Sequence, residues 1–422
     1  MIEATPPADA LAAAERHLDS LRRNHTIDMT RGKPAPEQLD LSDELLANMS
    51  PGACVGEGGD YRNYGLGTGI PEAKRLMGAY LEMPPEHTIV AGNSSLTLMH
   101  DTLVGAVLAG VPGGAGPWGR DGAGVKFICP APGYDRHFAI CAKLGIEMLP
   151  VDMHADGPDM DAVEKLAGDD PSVKGMWCVP KYSNPTGAVY ADAVVERLAN
   201  MSCAAPDFRI MWDDAYAVHH LSDERPIVKH IFKACTAAGN GDRPYLFAST
   251  SKITYAGAGL AALAASPDNI ADIARKMSFA TIGPDKITQL RHVKFLGGMD
   301  GLAAHMEKHA ALIRPKFAAA HGVLQARLGG TGMATWTAPK GGYFISADLE
   351  DGNAAAVVRL TGEAGVALVP AGSTFPYGRD PRDRNVRIAP TMPSVEEVTQ
   401  AMEVFCACVQ VVSLRRRVAA QC

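Results

Sequence analysis

Hydrophobic positions follow two rhythms along the chain. Between residues 61 and 265, short apolar runs alternate with longer segments of helical spacing, the signature of strands joined by crossover helices in an α/β sheet. Residues 88–90, 125–129, 175–179, 208–212, 245–248 and 260–264 predict strands. The middle four run straight into polar or Pro/Gly-containing turns: Ala131-Pro-Gly-Tyr134, Tyr182-Ser-Asn-Pro-Thr-Gly187, Asp213-Asp-Ala-Tyr216 and Ser249-Thr-Ser-Lys252. Open α/β sheets bind ligands beyond the carboxyl ends of their strands, so these turns are expected to converge on one crevice. The glycine-rich stretch 110–124 reads as a surface loop.

Outside that region the helical period dominates. Leu11, Ala14 and Leu18 share a face of an amphipathic helix over residues 9–22, expected to lie on the rest of the protein or on a partner subunit. The chain loosens through Arg31-Gly-Lys-Pro-Ala-Pro36, and residues 40–46 then offer a short helix with Ser42 as its cap. Residues 302–328 predict a long helix kinked at Pro315, and residues 354–364 a second helix. Short strands at 366–369 and 386–388 precede a final helix from 394 to 414. The expected architecture is α/β: a large domain over residues 61–300 with a mostly parallel central sheet, and a smaller α+β domain over 301–422. Residues 1–60 form an N-terminal arm and part of the small domain.

Composition narrows the function classes. A chain of 422 residues, 47% hydrophobic, can bury one large core or two. A net charge of −7, spread along the chain, favours neither nucleic acid nor an anionic membrane. Arg415-Arg416-Arg417 reads as a solvated helix end. Nine cysteines without paired spacing make no disulfide framework in a chain this long, which fits a reducing cytoplasm. No CxxC or HExxH occurs, and Cys406 and Cys408 read as packing residues, so no metal is expected. The N-terminus lacks the basic start and unbroken apolar core of a signal peptide, and no stretch reads as long and apolar enough to span a bilayer.

The chemistry concentrates at Lys252. A lysine at a strand end, preceded by small hydroxyl residues and followed by glycines, is an amine in a crowded site and suited to a Schiff base. Ser249 and Ser251 can hydrogen-bond phosphate oxygens without adding charge. Ser94 and Ser95 open an amphipathic helix whose free N–H groups make an anion site. Singly, each feature also fits a plainer role: a surface lysine, a helix cap, an Asp in a turn, a half-buried loop tyrosine, a strand-end arginine.

Taken in order, Gly92-Asn-Ser-Ser95, Pro132-Gly-Tyr134, Asn184-Pro-Thr-Gly187, Asp213-x-Ala-Tyr216, Ser249-x-Ser-Lys252 and Arg387 resemble the site residues of fold type I pyridoxal-phosphate enzymes, specifically aminotransferases. Arg62-Asn-Tyr-Gly65, Asn93-Ser-Ser-Leu-Thr-Leu-Met99, Ser251-Lys-Ile-Thr254, Thr281-Ile-Gly-Pro284 and Arg387-Ile-Ala-Pro390 resemble the aspartate aminotransferase subgroup related to the MocR-type family. The resemblance implies pyridoxal 5'-phosphate as cofactor and amino-group transfer from L-aspartate to 2-oxoglutarate. It makes Lys252 the Schiff-base and proton-carrying amine, Asp213 the partner of the ring nitrogen, and Asp214 its solvated neighbour. Tyr216 and Asn184 would contact the ring hydroxyl, Tyr134 the ring face, and Ser94, Ser95 and Ser249 the phosphate. Arg387 would grip the substrate α-carboxylate, with Gly32 and Asn184 beside it.

The resemblance also implies a homodimer with shared sites, Tyr64 of one subunit reaching the phosphate in the other. A distal carboxylate would need a second cation, for which Arg62, Lys33 and Lys286 are candidates, Arg62 first. One departure stands out: the arginine that many such enzymes carry eight residues after the lysine is Leu260 here, which puts cofactor affinity in doubt. Other chemistries on this scaffold are a lyase or decarboxylase, or a cofactor-binding sensor domain. The chain lacks room for a winged helix ahead of the aminotransferase-like region and has no basic N-terminal patch, against the sensor reading.

Overall fold

Strands of β-branched and aromatic residues stack side by side in the centre of the protein because their side chains are apolar on both faces and must be covered by helices. The computed structural model describes residues 7–119 and 124–421, so the opening six residues and residues 120–123 of the glycine-rich stretch lie outside the described residues. The central sheet comprises β1 (Thr88–Val90), β2 (Lys126–Ala131), β3 (Glu147–His154), β4 (Gly157–Pro158), β5 (Val173–Cys178), β6 (Arg209–Asp213), β7 (Pro244–Ser249) and β8 (Ala261–Ala264). Their order is β1-β8-β7-β6-β5-β2-β3-β4. From β7 to β3 neighbours are parallel, while β8 runs antiparallel between β7 and β1. The carboxyl ends of β1, β2, β5, β6 and β7 therefore share one edge. All six predicted strands are present, within a residue or two at their ends.

The sequence reading misses β3. Its run Glu147–His154 contains Pro150, which has no N–H for a ladder and breaks the apolar alternation. The strand tolerates it near the sheet edge, with only the two residues of β4 on its outer side.

A second, three-stranded sheet joins β9 (Ala334–Trp336), β10 (Ile345–Leu349) and β11 (Asn385–Ile388), all antiparallel. Of these only β11 is legible in the sequence. The chain opens with α1 (Pro7–Leu21) and the short α2 (Pro36–Asp40) and α3 (Glu44–Ala47); α4 (Ser95–Ala109) and α5 (Asp135–Lys143) belong to the large sheet, and α6 (Met299–Leu328), α7 (Ala354–Glu363) and α8 (Val395–Ala419) to the small one. One apolar core surrounds α8, with Leu18, Phe317, Val357 and Phe405, and two others cover the faces of the large sheet. The long helix α6 runs continuously across Pro315.

Two expectations need correction, and the reading of the terminal arginines as a solvated helix end holds with partners added. Ser42 does not cap: the N-cap of α3 is Asp43, and the buried Ser42 hydroxyl instead lies 3.4 Å from His305 Nε2. The arginines ending α8 are exposed but paired, Arg415 to Glu15 of α1 and Arg417 to Glu350, while Arg416 donates to Asn353 and to the Asp351 carbonyl. Finally, α8 is long and apolar enough, by length and composition, to cross a membrane. It owes that composition to being a core helix, wedged among α1, α6 and α7 with 67% of its most apolar window buried. The amphipathic α1 lies against α8 of its own chain.

Candidate active site

Each turn at the shared strand edge contributes a side chain to one small cavity. Ser94 and Ser95 follow β1, Tyr134 follows β2, Asn184 follows β5, Asp213 ends β6 with Tyr216 just beyond, and Ser249 ends β7 with Lys252 just beyond. All eight line a cavity of about 190 Å³. A larger cleft of about 1170 Å³ lies between the large sheet's loops and the polar face of the three-stranded sheet, and contains none of these eight.

Lys252 is half-buried, its amine 5.0 Å from the centre of the Tyr216 ring and 6.0 Å from that of Tyr343. Burial pushes its pKa down, Asp213 opposes this and Arg387 reinforces it. A lysine held this way supplies the neutral amine more readily than a surface lysine.

Asp213 is buried with its two oxygens in different states. Its Oδ2 lies 3.1 Å from Nε2 of the buried His137, whose ring stacks on Trp177 at 4.1 Å. Since a carboxylate only accepts, Nε2 carries the proton in that pair. Oδ1 is buried without a hydrogen-bond partner, a costly state unless a donor arrives. Sequence reasoning missed His137; the available signal was its place one helical turn after Tyr134, in α5. Asp214 is not solvated as expected. It is half-buried, and its carboxyl is pushed up to about 7, chiefly by burial, with Lys181 opposing and Asp213 adding to the rise.

Tyr216 is buried and its hydroxyl pKa lies well above the usual range, first through burial. Tyr134 is pushed up to about 12 for the same reason, with Asp213 contributing. Both stay protonated at neutral pH and so act as hydrogen-bond donors.

At the opposite wall, Arg387 of β11 is buried with its guanidinium 4.9 Å from the centre of the Phe344 ring. It donates to Asn184 Oδ1 at 3.4 Å, to the Thr30 carbonyl at 3.3 Å and to Asp135 at 3.0 Å, while its Nε is buried without a partner. Asp135 was not anticipated; it adjoins Tyr134 in the same turn. Gly32 belongs here as well: a Cβ on it would lie 2.5 Å from Phe344 Cζ, so no larger residue lets the N-terminal segment close over that ring.

The serines gather at the N-terminus of α4 and the end of β7, with no arginine among the residues lining their cavity. Ser94 occupies the N-cap of α4, yet its side chain makes no cap bond, which leaves the hydroxyl and the first-turn N–H groups available. The Ser249 hydroxyl donates to Ser251 at 3.1 Å, which donates to the Asn93 carbonyl at 3.0 Å. Leu260 is fully buried in the core. The set of an orphaned carboxylate oxygen, an unpaired amine-bearing loop and a serine cradle fits pyridoxal phosphate.

Two expected residues stand apart. Tyr64 is 82% exposed, and Arg62 is exposed with its guanidinium held by Asp60 at 2.6 Å. Neither lines the cavity of this chain. Of the other cation candidates, Lys33 is exposed, and Lys286 is buried and donates to the Gly65 carbonyl at 3.1 Å. Among the described residues no group of His, Cys, Asp and Glu is arranged to hold a metal ion.

A doubly covered, mostly parallel sheet with a lysine, an aspartate and serines at one strand edge, facing an arginine from a second sheet, defines an aminotransferase of fold type I, a class whose members depend on pyridoxal phosphate. The family model described as "Aspartate amino-transferase" matches residues 3–421, and the chain belongs to that family. It is 46% identical over 397 residues to an aspartate aminotransferase of Corynebacterium glutamicum, covering 94% of this chain and 91% of that one. The crystal structure of an aspartate transaminase from Corynebacterium glutamicum superimposes with a TM-score of 0.95 at 44% identity, covering 98% of both chains. The α-aminoadipate aminotransferase of Thermus thermophilus, solved with N-(5'-phosphopyridoxyl)-L-leucine, shares the fold at 21% identity, with a TM-score of 0.75 over 97% of both chains.

Proposed function

We propose that the protein is a pyridoxal-phosphate-dependent aminotransferase that moves the amino group of L-aspartate to 2-oxoglutarate. The observation that carries it is one cavity in which a lysine with a lowered pKa faces a buried aspartate with an orphaned oxygen, beside a buried arginine with an unfilled N–H. When bound, the cofactor withdraws electrons from the substrate Cα and carries the amino group between two half-reactions.

The chain's own residues divide the remaining work. Lys252 would anchor the cofactor, and its amine, once displaced by the substrate, would act as the base that takes the proton from Cα and hands it on. Asp213 Oδ1 would accept the ring N–H, and His137, donating to Oδ2, holds that carboxylate in place. Tyr216 donates to the ring oxygen, joined by Asn184, and Tyr134 packs on the ring face. Ser94, Ser95, Ser249 and the α4 N-terminus hold the phosphate without an arginine, which predicts weaker retention of cofactor than a paired arginine gives. Arg387 grips the α-carboxylate, exchanging the half-buried Asp135 for the substrate, with Gly32 beside it.

A homodimer belongs to this reading, because Tyr64 is the large exposed aromatic on a loop that Lys286 fastens, as a residue serving a neighbouring site must be. The division into residues 61–300 and 301–422, with 1–60 as the arm, and a cytoplasmic location are part of it too. The latter is supported by eight described cysteines, all free. Arg62, released from Asp60, is our first choice for the distal carboxylate, ahead of Lys33 and Lys286. Replacing the true partner with a neutral residue raises KM for aspartate over alanine by roughly ten- to a thousand-fold.

Product analysis after supplying cofactor, 2-oxoglutarate and single amino acids tests the reaction type. Oxaloacetate with glutamate supports the proposal. Amine with carbon dioxide makes the protein a decarboxylase, and binding without turnover makes it a sensor.

A further inference from the structure

Directly behind the backbone of Lys252 lies a buried polar network that the reading above does not use. The consecutive carbonyls of Lys252 and Ile253 are both gripped by side chains from elsewhere in the fold. Tyr343 donates its hydroxyl to the Lys252 carbonyl at 3.3 Å, and His219 Nε2 lies 3.4 Å from the same oxygen. His305 Nε2 lies 2.7 Å from the Ile253 carbonyl, and His309 Nε2 lies beside that contact, 3.1 Å from His305 Nε2.

Gln38 of α2 organises these donors. It is completely buried, and its Oε1 accepts the Ala35 N–H at 3.1 Å. A backbone N–H can only donate, so this contact fixes the amide's orientation and turns both Nε2 protons to the far side. There one meets His309 Nδ1 at 3.1 Å and the other the Tyr343 oxygen at 3.1 Å. The consequences run in one direction. With Nδ1 accepting, His309 carries its proton on Nε2, on the side of the His305–Ile253 contact; with its oxygen accepting, Tyr343 points its own proton at the Lys252 carbonyl. Burial supports the neutral rings this needs, holding His309 down at about 4 and His219 at about 3.

The segment carrying Gln38 also reaches the substrate side of the site. Its Thr30 carbonyl accepts from Arg387, and Gly32 packs on the Phe344 ring beneath that guanidinium. Residues 30–38 thus touch both the arginine and, through Gln38, the backbone of the lysine.

We infer that Gln38 is a positioning residue for the transamination: through Tyr343 and His309 it fixes the Lys252–Ile253 backbone, and so the reach of the Lys252 amine, from the same segment that braces Arg387. This rests on the aminotransferase reading, and misplacing a reacting group by about an ångström is worth roughly a hundredfold in rate.

The test compares Gln38→Leu, which removes both donors, Gln38→Glu, which keeps the acceptor for Ala35 but draws the Tyr343 proton away from Lys252, and Tyr343→Phe, which deletes one hydroxyl. Turnover of the parent protein is established first, since its absence is a failure of the functional reading alone. The network predicts that kcat falls about tenfold to a hundredfold in both Gln38 variants and about three- to tenfold in Tyr343→Phe. KM for aspartate stays within about threefold, and the kinetic isotope effect with α-deuterated aspartate rises as proton transfer becomes slower. Independently of turnover, backbone amides in the peptide spanning residues 249–256 of the cofactor-free protein exchange faster in all three variants. Parent-like exchange and an unchanged isotope effect in Tyr343→Phe, the least disruptive variant, overturn the inference, whether or not the Gln38 variants fold. A rise in KM with kcat unchanged overturns it too.

Discussion

Lys252 and Asp213 differ from the many other lysines and aspartates of this chain by where their polar atoms are left. The amine is half-buried over aromatic rings, and the carboxylate keeps one oxygen without a donor. Lys252→Ala is therefore expected to lower turnover by several orders of magnitude, through loss of both anchor and proton carrier, with the fold retained. Steady-state rates beside a circular dichroism spectrum check this. Neighbouring aspartates separate the roles more sharply: Asp213→Asn should cost about a hundred- to a thousandfold in kcat, and Asp214→Asn no more than about threefold. Equal losses would mean that the assignment of Asp213 is wrong. These residues were legible from sequence because each sits in a polar turn directly after an apolar strand. His137 and Asp135 were not, because their partners Asp213 and Arg387 come close only through packing between distant segments, and Asp214 looked solvated because burial by neighbouring loops leaves no trace in a dipeptide.

Among the elements, those with a strong local signal were legible: six strands of the large sheet and the long helices of the small domain. The final helix carries its own start signal, Ser394 with Glu397 three residues on, and the structure forms that capping box: Ser394 Oγ accepts the Glu397 N–H at 3.2 Å and Glu397 accepts the Ser394 N–H at 2.9 Å. Ser394→Ala should cost about 1 kcal/mol, read as a lower chemical-denaturation midpoint with unchanged slope. An unchanged midpoint would mean that packing of α8 against α1 and α6 holds its first turn without the cap. Strands β9 and β10 escaped notice because they are short and lie around Lys340-Gly-Gly, where a turn is the stronger local signal, while Pro150 concealed β3. The apparent cap at Ser42 failed because His305, from a helix more than 250 residues later, competes for that hydroxyl.

At the scale of the whole molecule, buried histidines tie folding to pH. His219 and His309 are held near 3 and 4, and His305 and His292 are also lowered, all chiefly by burial. Unfolding returns them toward 6.5, so below that value the unfolded chain binds more protons and stability rises with pH. Their contribution is complete above about 6.5 and is lost progressively as pH falls toward 4. Asp214, raised to about 7 from 3.8, acts oppositely, favouring the folded state less as pH climbs through that window. In His309→Gln, where Asp214 is unchanged, the melting temperature at pH 7 minus that at pH 5 should therefore be less positive than in the parent. An identical difference would show that His309 does not titrate on unfolding.

Assembly is tested at the same scale. Mixing an inactive Lys252→Ala chain with a Tyr64→Ala chain of low activity should restore part of the activity through hybrid dimers, in which one site has both intact residues. No recovery after verified subunit exchange, with Tyr64→Ala alone severely impaired, would count against shared sites. The central claim is that this family member carries its cofactor on Lys252, and borohydride reduction of the protein loaded with pyridoxal phosphate, followed by peptide mass mapping, tests it most directly. The account predicts a single phosphopyridoxyl adduct on Lys252, prevented by adding aspartate before the reductant; an adduct on another lysine, or none at all, would contradict it.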